Sequence, residues 1–170
     1  MKLYIKQQIF SWNDRFSVYD AYENELFTVE GELFSFGKQL AILDRNGNEV
    51  YRIEQELFRF RPRYHVVRNG EVQATVVKEF SMFSPYYTVE GPGWEVQGDF
   101  FDHDYEITDG GRLVASVQKQ WFTWGDTYEI SVDDRLYDPA AVLAVAHELH
   151  GLHAPLLLAL LHLSVELLLH

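Results

Sequence analysis

The sequence predicts a mainly β chain with a C-terminal α element: about twelve antiparallel strands closed into a barrel around a central hydrophobic helix, then one further apolar helix. Three observations lead there. An aromatic cluster recurs along the chain, turn residues stand between successive clusters, and residues 140–146 carry no polar side chain. At 170 residues the chain fits one domain with a core that needs neither disulfides nor metals.

The clusters read QIFSWNDRF from Gln8, ELFSFGKQL from Glu32, ELFRFRPRY from Glu56, EFSMFSPYY from Glu79 and QWFTWGDTY from Gln120, and DFFDHDYEI from Asp99 fills the remaining gap. Six units spaced by roughly 20 to 24 residues result. Between them lie AYENE, DRNGNE, RNGE, EGPGW and TDGGR, whose Gly and Asn suit the positive φ of hairpin turns. On either side of each turn, apolar and polar residues alternate, as in KLYIKQQIF, VYRIEQELF, YHVVR and LVASVQKQW. A meander of about twelve such strands stacks as two sheets or closes, and closure removes the edges. A barrel this wide needs a filler.

The filler follows the last strand. In YDPAAVLAVAHELHGLHA, Asp138 suits an N-cap and Pro139 the first helical position. A helix apolar all round belongs inside something, so Ala140, Val142, Leu143 and Val145 are predicted to pack on inward-facing strand residues. Residues 1–154 therefore form the barrel, with its helix over about 138–153, and 155–170 add a second helix. In that second helix His162, Glu166 and His170 form a thin polar stripe on an apolar cylinder, which must pack on the barrel or on a partner subunit.

Composition narrows the function. A net charge of -12 opposes nucleic acid as a partner. The absence of cysteine removes thiol catalysis and thiolate metal sites. The amino terminus lacks the pattern of a secretory signal, because Lys6, Gln7 and Gln8 interrupt it, so a cytoplasmic protein is expected. Glu148 and Glu166 interrupt the apolar C-terminal stretch, and no transmembrane span is expected.

Several segments match a known family. LFSFG at Leu33–Gly37, VQGDFFDHDYEI at Val96–Ile107, GGRLVASVQKQWFTWGDTYEI at Gly110–Ile130 and the apolar helix after Asp138 resemble the YxjI-like branch of the LURP-one-related proteins, over residues 1 to about 154. The resemblance implies the tubby-like fold, shared with tubby proteins and phospholipid scramblases: a twelve-stranded barrel around a C-terminal helix. Relatives are associated with phosphoinositide binding, lipid movement and plant defence, and fold analogy alone does not transfer those activities. The chain departs from the family pattern at RFRPRY, Arg59–Tyr64, and after Ala154.

Candidate sites are few. HELHGLH lacks the i, i+4 histidine spacing of a zinc protease, and His147, His150 and His153 spread over about 120 degrees of helix surface. No metal or other cofactor is expected, these three being the nearest candidates. Asp102, His103 and Asp104 would alternate between faces of a strand, which leaves no single constellation. The local functional signal is basic: Arg59, Arg61, Arg63 and Arg68 stand within ten residues of an acidic chain. If the strand persists to Arg63, the first three share one outward face with Phe58, Phe60 and Tyr64 beside them, suited to phosphate groups. The alternative is a solvated face paired with Glu54, Glu56 or Glu71.

The expected function is a non-enzymatic binding or scaffold protein recognising an anionic phospholipid headgroup or an acidic protein through these arginines, peripheral to a membrane in the first case. One alternative is a homo-oligomerisation module using residues 155–170; another is a metal-dependent enzyme built on His147, His150 or Asp102–Asp104.

Overall fold

The computed structural model describes residues 1–7, 15–31, 37, 39–79, 86–99, 102–120 and 126–151. Among these residues twelve strands run Lys2–Gln7 (β1), Arg15–Tyr19 (β2), Glu25–Gly31 (β3), Gln39–Leu43 (β4), Glu49–Glu56 (β5), Arg63–Arg68 (β6), Glu71–Glu79 (β7), Tyr86–Glu90 (β8), Trp94–Asp99 (β9), Asp104–Asp109 (β10), Arg112–Gln120 (β11) and Asp126–Val132 (β12), and one helix, α1, spans Pro139–Gly151. Each strand pairs antiparallel with its sequence neighbours, and β1 pairs with β12, which closes the barrel.

The repeat has a physical basis in the core. Val18, Ile42 and Val66 sit at the same point of successive hairpins and are almost wholly buried, as are Val89, Ile107 and Ile130 further along. In β2, β8, β10 and β12 the residue on either side of such a position is more exposed, the period of two that half-buried strands require. At one end, tight turns such as 20–24 and 44–48 return the chain. These two turns are duplicates: Asp20 Oδ1 accepts from the Tyr22 and Asn24 amides at 2.8 and 2.9 Å, and Asp44 Oδ1 from the Asn46 and Asn48 amides at 2.8 and 2.9 Å. Such Asx turns hold the hairpin register with side-chain bonds. At the other end, the connection 57–62 between β5 and β6 is one residue longer.

Closure is uneven. β5, β6 and β7 pair along five or six residues each, whereas among the described residues β1–β2 pairs only at Tyr4↔Tyr19 and Ile5↔Val18, and β8–β9 only at Thr88↔Glu95 and Val89↔Trp94. The wall is thus a run from β2 to β8 and a run from β9 through β12 to β1, joined by two short seams.

Helix α1 fills the lumen. Asp138 caps it, with Oδ1 accepting the Ala140 amide at 2.9 Å and the Asp138 carbonyl accepting the Val142 amide at 3.1 Å. This satisfies donors that a helix start leaves open. Ala140 and Val142–Ala146 are buried on all sides, against β5, β6, β7, β11 and β12. An all-round apolar helix has no other stable place in water. No helix among the described residues is long and apolar enough to cross a membrane. His153, the expected second helix over 155–170 and the subunit contact it would supply lie outside the described residues.

Candidate functional site

β5 ends at Glu56 and β6 begins at Arg63, so the strand does not persist to Arg63 and a loop spans 57–62. Phe58 adopts φ 61°, a left-handed conformation that ends extended structure, and Pro62 offers no amide for a ladder while its carbonyl accepts from the Lys78 amide at 3.1 Å. Leu57 anchors the loop by packing on Gly37, where even a Cβ would come within 2.8 Å of the Leu57 side chain. With Leu57 turned in, Phe58 and Phe60 project outward, 102% and 89% exposed. Two large aromatic side chains this exposed on one short loop are uncommon for a surface without a partner.

The arginines beside them are already engaged. Arg59 Nε donates to Glu56 Oε1 at 2.6 Å, Arg61 pairs with Glu79, and Arg63 bridges Glu56 at 3.1 Å and Glu90 at 2.6 Å. His65 Nε2 lies 3.4 Å from the same Glu56 carboxylate. The Arg59 hydrogen bond chiefly holds the Glu56 carboxyl below its usual range, against a smaller opposing effect of desolvation. Glu90 chiefly raises the Arg63 guanidinium. The side chains of Arg59 and Arg61 nonetheless remain more than half exposed.

Arg68 is elsewhere. It closes β6 at the opposite end, about 17 Å along the strand from Arg63. There its guanidinium lies 5.5 Å above the Tyr51 ring and 3.5 Å from Asp138 Oδ2, beside a groove of about 230 Å³ lined by Glu49, Arg52, Arg68 and Asn69. The structure therefore brings Arg59, Arg61 and Arg63 together and assigns Arg68 to the helix cap.

The remaining candidates are dispersed. Asp102 and His103 form a turn, with Asp99 Oδ1 accepting the Asp102 amide at 3.1 Å, and the His103 ring meets Tyr128 edge-on at 5.4 Å. His147 stacks on Phe16 at 5.4 Å, and its Nδ1 lies 3.1 Å from the fully buried Glu148. A cavity of about 20 Å³ beside it, lined by Phe16, Tyr105, Tyr128 and His147, has room for about one water. Among the described residues no group of three His, Cys, Asp or Glu side chains is placed to hold a metal ion.

Sequence reasoning missed Glu79 and Glu90 as partners of the arginines. The signal lay in strand register: with the hairpins after β6 and β7 in place, His65 stands opposite Thr75 and Thr75 opposite Glu90, which puts Glu90 within reach of Arg63.

A closed twelve-stranded antiparallel barrel filled by its own C-terminal helix defines the tubby-like class. Over residues 1–148 the sequence matches the family described as LURP-one-related, and the chain belongs to that family. It is 36% identical over 132 residues to the protein YxjI of Bacillus subtilis (strain 168), covering 78% of this chain and 82% of that one. It also shares its fold with the X-ray structure of a protein from Arabidopsis thaliana, with a TM-score of 0.58 and 16% identity over 86% of this chain and 90% of the other. Family and fold are consistent with a binding or scaffold role.

Proposed function

We propose that this is a non-catalytic, cytoplasmic binding protein that docks peripherally on an anionic phospholipid surface through loop 57–62 and Arg63. The observation that carries the reading is the outward projection of Phe58 and Phe60 beside the half-exposed Arg59 and Arg61. Aromatic rings partition into the headgroup boundary, and guanidinium groups on the same loop meet phosphates bidentately. Surface ion pairs such as Arg59–Glu56 contribute no more than about 1 kcal/mol, so their carboxylates are exchangeable for a phosphate. The net charge of -12 makes this attraction local, acting within about a Debye length of 8 Å at physiological salt.

The test is flotation on phosphatidylcholine vesicles with and without phosphatidylserine. The intact protein is expected to float with the anionic vesicles only, in a salt-sensitive manner, and to lose binding when Phe58 and Phe60 are changed to Ser or when Arg59 and Arg61 are changed to Gln. Absence of flotation on either vesicle would refute the lipid reading and leave an acidic protein as the partner of the same loop.

A further inference from the structure

We propose that Glu56 is a built-in competitor for the docking arginines, so that the surface engages only a partner of high anionic charge density. The inference rests on the docking role given to loop 57–62 above. Three guanidinium groups, those of Arg59, Arg61 and Arg63, meet three carboxylates, those of Glu56, Glu79 and Glu90, and the surface is locally neutral until a partner exchanges for one of them. Glu56 is the hub of this arrangement, since it meets two of the arginines, at 2.6 and 3.1 Å, with His65 a further contact at 3.4 Å.

The two sides of the exchange are not equally mobile by construction. Glu56 is the last residue of β5, paired opposite Arg63 of β6, and its side chain is 24% exposed. Arg59 stands on the loop and is 60% exposed. An arriving phosphate can draw Arg59 outward while Glu56 stays with the wall, so release of Arg59 is the step that Glu56 opposes. Protonation is a poor trigger, because Arg59 holds the Glu56 carboxyl below its usual range and it stays ionised near neutral pH. What remains as trigger is the density of competing anions, which makes binding rise steeply with the anionic fraction of the surface.

The experiment compares Glu56→Gln with Glu54→Gln on phosphatidylcholine vesicles of graded phosphatidylserine content. Both changes remove one negative charge from the same face of β5, but among the described residues the loop arginines Arg59 and Arg61 pair with Glu56 and Glu79, not with Glu54. Freeing an arginine near an anionic surface is worth about 1 kcal/mol, so Glu56→Gln is expected to bind about fivefold tighter and at a lower phosphatidylserine content, with Glu54→Gln close to the unmodified protein. Equal gains in the two variants, or none in Glu56→Gln while the unmodified protein binds, would overturn the competitor role and leave the docking surface standing. Absence of binding by the unmodified protein and by Glu56→Gln alike would overturn both. Binding by Glu56→Gln alone would support the competitor role in its strongest form.

Discussion

The Tyr51 hydroxyl donates to Asp138 Oδ2 across 3.1 Å, joining strand β5 of the wall to the cap of the helix that fills it. The same carboxylate uses its other oxygen for the Ala140 amide. Asp138→Ala therefore removes a cap and a wall contact together and is expected to lower stability by about 1 to 2 kcal/mol in urea unfolding. Tyr51→Phe alone is expected to cost about 1 kcal/mol. Because the two share one carboxylate, the double variant should lose less than the sum. An unchanged urea midpoint for Asp138→Ala would count against the cap as a stabilising element.

Core and loop should differ in their sensitivity to substitution. Leu143 on α1 is wholly buried, and Leu143→Ala is expected to cost about 2 to 5 kcal/mol through lost burial and the cavity left behind. Phe58→Ser removes a larger side chain yet is expected to shift stability by no more than about 0.5 kcal/mol, because that ring is fully exposed. Thermal unfolding of both variants checks the contrast, and a loss for Phe58→Ser comparable to Leu143→Ala would show that the ring packs on the barrel.

The short seams should open first. Amide exchange measures local opening, which follows the density of buried contacts and paired backbone. Lys6 and Gln7 of β1 extend beyond its two-residue pairing with β2, as Gln97 and Asp99 of β9 extend beyond its pairing with β8. Hydrogen exchange is expected to be faster in the β2- and β8-facing amides of these segments than in Tyr64–Val67 of β6, which is paired on both sides. Uniform protection around the barrel would contradict this reading.

The barrel was legible in the sequence because its information is periodic. Val18, Ile42 and Val66 repeat with the turns that follow them, and Asp138–Pro139 marks the helix start with two residues of specific capping chemistry. The docking loop was legible only in composition. FRFR keeps an apolar and basic alternation through Phe58–Arg61, so the pattern continued past the point where the strand ends. What ends it is the left-handed Phe58, and Phe is a residue type that gives no signal for that conformation. Arg68 lies apart from the other three for a related reason, since separation along a strand of about 3.3 Å per residue is distance in space. The carboxylate partners were harder still, because Arg61–Glu79 and Arg63–Glu90 are set by lateral register between strands.

Stability should fall at both ends of the pH scale, for different groups. Asp20 and Asp44 are held below the usual carboxylate range, Asp20 mainly by its side-chain bond with Asn24 and Asp44 mainly by the Asn48 amide, and Glu56 mainly by Arg59. A depressed folded pKa gives stability that is full above the unfolded value, about 4 for these groups, and is lost as pH falls through the folded value. At the other end burial pushes Tyr64 up to about 12, with Glu148 adding to the effect, and raises Tyr87 and Tyr105 as well. A raised tyrosine pKa gives stability that is full below the unfolded value of about 10 and is lost as pH rises through the folded value, so the alkaline loss should develop from about pH 10 to 12 and beyond. Phenolate absorbance of the native protein should then show only part of its ten tyrosines ionising near pH 10, the rest appearing together with unfolding. Titration of all of them near 10 with the fold intact, followed by circular dichroism, would show that the Tyr64, Tyr87 and Tyr105 hydroxyls reach water and are not held inside the barrel.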